Sequence, residues 1–298
     1  MDGSGAFIGL ILFTITTIFY FVFKMFFGKD VFKKDANGEI LKDANGNPQI
    51  LYTAESMKKK IYFLYFLLVI ISQLFVNISL LSSMCNSGLG SVAFPGMMYT
   101  IIPWILIFGL LKVMFMIMPG WKAPFSNTFG YLVNRLAGIR SVLRYLLKPV
   151  DLEDDKRELK GEQLHSFQTL REIYKDDSVL INEITPDNFD KFWKTMEKSE
   201  LFKTNEEIKL IPGTNGKYNL DKLRGDLQWH VGLKDDVSEF VWFLLSGGLI
   251  SSIVYNNMNK YKCSYTPEQI AEQDKKYKEQ VEAKEQTKNN DQVYYTED

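Results

Sequence analysis

Three long apolar runs dominate the first 120 residues of the chain. Residues 6–27 (AFIGLILFTITTIFYFVFKMFF) carry one charge, Lys24, near their far end; residues 61–81 (IYFLYFLLVIISQLFVNISLL) carry none; residues 99–118 (YTIIPWILIFGLLKVMFMIM) carry only Lys112. Each is about twenty residues, the length a helix needs to cross roughly 30 Å of hydrocarbon. A buried helix of a soluble core would account for one such run, but three in succession predict membrane helices. A fourth run, FVWFLLSGGLISSIVY at 240–255, is shorter and carries Gly247-Gly248 in its middle. It predicts a short span, with a re-entrant or interfacial segment as the alternative.

The polar stretches between these runs have patterns of their own. In the 28–60 loop, DANGEILK at 35–42 is followed by DANGNPQI at 43–50. Asn-Gly is a strong hairpin-turn signal, so the loop predicts a small β-hairpin. The ligand spacing of a calcium-binding EF-hand loop is missing there. Pro119 and Gly120 end the third run, and Pro124 prevents an immediate restart. A helix from Thr128 to Lys148 then places Phe129, Leu132, Val133, Leu136, Ile139, Leu143, Leu146 and Leu147 on one side. The 119–150 region therefore predicts a juxtamembrane loop and a basic amphipathic helix lying along the membrane face. Its membrane-interface residues would be Trp121, Lys122, Arg135, Arg140, Arg144 and Lys148. The same apolar side would also suit a core helix of a soluble domain.

Residues 151–239 form a small soluble candidate. LHSFQTLREIY at 164–174 reads as helix, and Thr185-Pro186 introduces another bearing Phe189, Phe192, Trp193 and Met196 on one face. EEIKLIPGTNGKYNLDKL at 206–223 suggests two short strands around a turn, and Leu227, Trp229, Val231 and Leu233 alternate. Residues 256–298 make a polar helical tail, with Thr266 and Gln269 as a capping box and a thin stripe of Ile270, Tyr277 and Val281. The expected fold class is thus a mainly α membrane protein. It combines three to four transmembrane helices, a hairpin loop, a basic juxtamembrane amphipathic helix, a small α+β soluble domain and a polar C-terminal helix.

Charge orients this array. Seven lysines lie in 28–60, and Lys122, Arg135, Arg140, Arg144 and Lys148 follow the third run, whereas 82–98 (SSMCNSGLGSVAFPGMM) is uncharged. The positive-inside rule puts the N-terminus and 82–98 outside, with 28–60 and 119–239 inside. No basic n-region or small-residue cleavage site accompanies the first run, which reads as an uncleaved anchor. Lys260 and Lys262 after the fourth run leave the side of the tail open. If the fourth run spans, Cys85 and Cys263 share the outer side and could pair, but two cysteines in a chain of this size are expected to be free thiols. The net charge of −1 gives no reason to expect nucleic acid.

Chemistry is sparse. His165 and His230 are the only histidines, and neither has a second ligand at zinc-type spacing. No nucleophile elbow, Walker A or dinucleotide fingerprint occurs. Asp154, Asp155, Glu158 and Glu162 suggest a solvated face, and Trp229-His230 suggests packing. Lys112 lies close enough to the end of its run to snorkel. Gln73 and Asn77 can bridge helices, and Thr14, Thr16 and Thr17 can bond their own backbone. The expectation is no catalytic residue, metal, cofactor, small-molecule substrate or enzymatic activity.

PGWKAPFSNTFGYLVNRLAGI, residues 119–139, with the apolar helices before it, resembles membrane proteins of large nucleocytoplasmic DNA viruses of the algal-virus type. The resemblance does not reach residues 150–298. It implies a minor capsid component of the virion inner membrane beneath the capsid, resident in a host membrane during assembly. Its partners would be the lipid bilayer and the major and other minor capsid proteins. A small channel or transport subunit is the alternative.

Overall fold

The computed structural model describes residues 4–35, 38–43, 48–148, 172–173, 176–212, 217–263 and 267–290. In chain order its elements are α1 (Ser4–Phe27), β1 (Val31–Phe32), β2 (Ile50–Tyr52), α2 (Ala54–Cys85), α3 (Leu89–Ile117), α4 (Tyr131–Leu136), α5 (Ile139–Leu146), α6 (Asp177–Glu183), α7 (Phe189–Lys198), α8 (Asn205–Lys209), α9 (Leu220–Asn259) and α10 (Pro267–Asn290). The protein is mainly helical, and α1, α2, α3 and α9 are long and apolar enough to cross a membrane.

These four helices pack into a bundle with large apolar side chains on its outside and a few polar groups within its apolar interior. On α2 the buried residues Ile61, Tyr65, Val69, Gln73, Asn77, Leu81 and Cys85 recur every fourth position, a single narrow stripe. The rest of that helix exposes Phe63, Leu64, Leu68, Ile71 and Phe75. So much exposed apolar surface would drive aggregation in water but costs nothing against lipid tails. Inside, Gln73 Nε2 donates to the Gly9 carbonyl at 2.9 Å, and Asn77 Nδ2 donates to Thr100 Oγ1 at 3.1 Å. The hydroxyls of Thr14, Thr16 and Thr17 donate to carbonyls four residues back, and Thr17 also meets the Tyr65 hydroxyl at 2.9 Å. In hydrocarbon every polar group must find such an internal partner.

The second and third membrane helices are closer in sequence than the uncharged 82–98 stretch suggests. Helix α2 runs to Cys85, where Asn86 in the left-handed conformation (φ 47°) closes it, and α3 begins at Leu89. Most of the expected loop is therefore helix, and Pro95 lies inside it. Pro103 is also internal and is followed by a widened turn over Trp104–Phe108. That widening is the usual response to a missing N–H and a ring that crowds the preceding turn.

The fourth apolar run is the C-terminal part of one unbroken helix of 40 residues, α9. At 1.5 Å per residue it is about 60 Å long, twice what a bilayer needs. Phe243, Ile250, Val254 and Met258 belong to the bundle core. Leu223, Leu227 and Val231, nearer its start, belong to a second core with Ile139, Leu143 and Leu146 of α5, Ile181 of α6, Trp193 of α7 and Ile208 of α8. One helix thus serves two cores.

That second core corrects the α+β expectation: among the described residues its elements are helices, and Leu147–Phe202 is an isolated bridge. The 206–209 part of the expected strand pair is in α8, fixed by a capping box in which the Thr204 hydroxyl accepts from Glu207 N–H and the Glu207 carboxylate accepts from Thr204 N–H. The apparent alternation at 227–233 is helical, since Leu227 and Val231, four apart, are buried while Trp229 is exposed. Helix α7 starts at Phe189, after reciprocal Thr185–Asn188 side-chain caps, slightly later than Pro186 suggests. Most of the 164–174 helix, His165, Asp154, Asp155, Glu158, Glu162 and the Thr266 cap lie outside the described residues.

The 28–60 loop holds the antiparallel β1–β2 pair, with further bridges Lys34–Ile40 and Lys42–Pro48. Against the free-thiol expectation, Cys85 and Cys263 form a disulfide with a Cα–Cα distance of 5.4 Å, because α9 continues through the bundle and brings the chain beyond it to the end of α2. The cross-link joins residues 178 apart. Closing so long a loop constrains the unfolded chain, so Cys85→Ser should cost about 2–5 kcal/mol. Thermal unfolding in detergent measures that loss, and a mobility difference between reduced and unreduced gels should vanish in the same variant.

Candidate functional site: a charged layer between the two cores

Where α9 passes from one core to the other it reads LKDDVSEF, residues 233–240. The acids Asp236 and Glu239 are three residues apart, hence neighbours on one helix face. Lys24 of α1 meets Asp236 Oδ1 and Glu239 Oε2, each at 2.6 Å, and Lys112 of α3 takes Glu239 Oε1 at 2.7 Å. Lys122, just beyond α3, pairs with Asp235 at 2.6 Å. Three lysines from separate segments therefore converge on one helix. The Glu239 and Lys24 side chains are 4% and 9% exposed, so the pair is removed from solvent. A lone charge inside a membrane helix costs roughly 2.5–3.5 kcal/mol on insertion scales. Here Lys24, Lys112, Asp236 and Glu239 sum to zero, and both Glu239 oxygens are occupied. Lys112 does not reach out to solvent alone, as its position suggests, because Glu239 faces it.

Aromatic rings close the layer on its bundle side. Lys24 Nζ lies 5.3 Å from the Phe21 ring centre and Lys112 Nζ lies 4.6 Å from that of Tyr62. Next come Tyr20 and Tyr65 (4.3 Å between centroids), Phe108 and Phe243 (4.7 Å), and Phe13 and Trp104 (5.1 Å). Phe13, Trp104, Phe108 and Phe243 have no exposed surface. No metal-competent group of three His, Cys, Asp or Glu residues occurs among the described residues. This geometry joins helices by charge and seals the joint with rings.

On the other side of the layer, residues 119–136 run beside α9 in the opposite direction. Trp121 stacks on Trp242 at 5.9 Å, and its carbonyl accepts from Trp242 Nε1 at 3.1 Å. The Lys122 carbonyl accepts from Ser238 Oγ at 2.6 Å. Gly130 sits flush on the Lys234 backbone, where a Cβ would overlap the Lys234 carbonyl. Asn134 donates to the His230 carbonyl at 2.9 Å while its side-chain oxygen faces His230 Nδ1 at 2.8 Å. Each contact steps further toward the start of α9.

The single amphipathic helix expected over 128–148 is not formed as one element. The chain breaks at Gly138 (φ 98°), and α5 beyond it buries Ile139, Leu143 and Leu146 in the second core. Of the six expected interface residues, Trp121 and Lys122 stand at the joint and contact α9. Arg135 and Arg144 are exposed, Arg140 pairs with Asp177 at 3.0 Å, and Lys148 donates its backbone N–H to Leu201. The residues that reasoning from sequence missed are Asp235, Asp236 and Glu239. The signal was three acids abutting an apolar run while two other runs each carried one lysine.

A smaller cluster supports the second core. Arg140 Nε and the Tyr131 hydroxyl (2.9 Å) both donate to the Asp177 carboxylate. Burial alone would raise this carboxyl, but the Arg140 and Tyr131 hydrogen bonds outweigh it and hold it below the usual range. A depressed folded pKa contributes stability above the unfolded value of about 3.9 and loses it as pH falls through the folded value. Asp177→Asn should therefore be less stable than the parent at neutral pH, and the gap should narrow below about pH 4. Unfolding followed by circular dichroism across pH checks it.

No protein-family profile matches the chain, and neither the curated proteins nor the solved structures give a match.

Proposed function

We propose that the chain is a structural membrane protein of a large DNA virus, a minor capsid component that ties the inner membrane to the capsid shell. The observation that carries the mechanical part of this reading is α9, which shares its length between the bundle core and the second core without a break. Such a rod transmits position and load between a bilayer and whatever the second core holds. The viral part rests on the 119–139 resemblance. In this reading the lysine-bearing end and the second core face the cytoplasm or its viral equivalent, toward major and other minor capsid proteins. The Cys85–Cys263 end faces the opposite, oxidising side, and the tail helix α10 lies there too.

Mass spectrometry and microscopy of purified particles test this reading. The protein should be found at the membrane beneath the shell, and its absence from intact particles would sink the idea. The alternative, a small channel or transport subunit, is favoured by one observation, the buried charges of Lys24 and Glu239 with the half-buried Lys112 and Asp236 beside them. Against it stands the closed ring packing of Phe13, Trp104, Phe108 and Phe243. Ion or solute flux across reconstituted liposomes would establish the alternative, and sealed liposomes support the structural reading.

A further inference from the structure

The β1–β2 hairpin is fastened to the bundle, yet none of its described residues from 29 to 53 is buried. Gly28 lies against the Lys24 carbonyl and the Lys58 side chain, so no larger residue fits there. Asp30 Oδ1 accepts from Ala54 N–H at 2.6 Å, capping the start of α2 from the far side of the loop. The backbone then ties three passes together: Lys33 N–H to the Gln49 carbonyl at 2.9 Å, Gln49 N–H to Leu41 at 2.8 Å, and Leu41 N–H to Lys33 at 2.9 Å. Ile40, Leu41, Ile50, Leu51 and Tyr52 are all exposed, at 40–49%. An ordered hairpin that leaves five large apolar side chains in water is incomplete.

We infer that this hairpin lies on the surface of the same bilayer the helices cross and prefers anionic lipid headgroups. Continuity is the first argument. The hairpin leaves α1 directly after the outward-facing Phe23, Phe26 and Phe27, and enters α2 at Ala54, ahead of Lys58, Lys59 and Lys60 and then the exposed Phe63 and Leu64. Its short ties to both helix ends, Gly28 against Lys24 and Asp30 on Ala54, keep it beside the bundle end that carries Phe26 and Phe27. Charge complementarity is the second. Residues 28–60 contain seven lysines against five acids. Seven less five leaves a surplus of two positive charges; Asp30 and Asp35 keep their charge while accepting backbone N–H groups, and Glu55 pairs with Lys59. Lys60 lies over the Tyr52 ring at 3.2 Å, an amine and an aromatic side by side, as at a headgroup boundary. Apolar side chains with a lysine rim are the composition of a surface-lying membrane contact.

The inference rests on the four helices crossing a bilayer, and the test separates the two. Because Cys85 and Cys263 are paired, a thiol-reactive fluorophore reports only on an introduced cysteine. The full chain is placed in nanodiscs of phosphatidylcholine, with or without phosphatidylserine, each carrying a lipid-borne quencher. Labels at Leu41→Cys and Leu51→Cys should be quenched and blue-shifted, more so with phosphatidylserine. A label at Phe75→Cys, exposed in mid-α2, should be quenched in both, and one at Glu206→Cys on α8 in neither. Lys33→Glu, Lys34→Glu and Lys42→Glu should each shift the docked-to-undocked ratio by ~5-fold in the anionic discs. Quenching at 75 without quenching at 41 and 51 overturns the hairpin inference alone, whereas no quenching at 75 overturns the membrane reading itself. Protection of 41 and 51 that appears only when two copies share a disc also overturns it, by assigning the face to a second copy of the chain.

Discussion

Glu239→Leu should leave little correctly folded protein, because it takes a carboxylate partner from two lysines at once and leaves Lys112 with none of its described salt bridges. In the parent chain Glu239 accepts Lys24 on one carboxylate oxygen and Lys112 on the other. Removing one member of a buried ion pair typically costs about 3–5 kcal/mol, since the remaining charge keeps its desolvation penalty and loses its partner. That is a large fraction of the whole stability of many folded chains, roughly 5–15 kcal/mol. Lys24 retains Asp236, but Lys112 has no other salt-bridge partner among the described residues. The measurement is the folded fraction by size exclusion in detergent, with tryptophan fluorescence during denaturation. Charge is the cause only if a neutral set does better: Lys24→Met, Lys112→Met, Asp236→Leu and Glu239→Leu together should recover much of what Glu239→Leu loses. Parent-like stability in the single variant would show that the layer does not hold the bundle.

The second large effect belongs to Gly247. A Cβ at this position would run into the Phe13 ring of α1. That ring is fully buried between Trp104 and Phe108, at 5.1 and 6.2 Å, and has nowhere to go. Gly247→Ala should lower stability by about 1–3 kcal/mol, the usual cost of overpacking a dense core. Gly247→Leu should separate α1 from α9 and produce an unfolded or aggregated chain. Gly248, its neighbour, faces open space, with nothing within 4 Å of where a Cβ would stand, so Gly248→Ala is the control. The two alanine variants should differ clearly in thermal midpoint, and equal midpoints would refute the close approach. Phe13→Ala should partly restore Gly247→Leu by vacating the same space.

These effects separate what can be read along the chain from what cannot. The four apolar runs are legible because a membrane helix is a local property: a length and a composition suffice. The side-chain partners inside the bundle were partly legible too. Gln73, Asn77 and the threonines had to find internal acceptors, and each does. The 128–148 stretch was ambiguous in principle, because a membrane surface and a protein core ask for the same apolar stripe. Gly138 breaks that helix, and the second half buries Ile139, Leu143 and Leu146 in the second core. The alternation at 227–233 misled for a related reason, since residues four apart satisfy a two-residue period and a helical one alike.

The sequence by itself determined that helices of membrane length would form, that prolines and glycines would punctuate residues 119–138, and that lysines would crowd one end. Only the tertiary structure decided that 240–255 continues a helix begun twenty residues earlier, that Cys85 meets Cys263, and that Lys24, Lys112 and Lys122 converge on Asp235, Asp236 and Glu239. The physical reason is range. Hydrophobic length and turn chemistry act between neighbours in the chain, whereas a buried charge is tolerable only beside a partner that, for Lys24 and Glu239, lies 215 residues away.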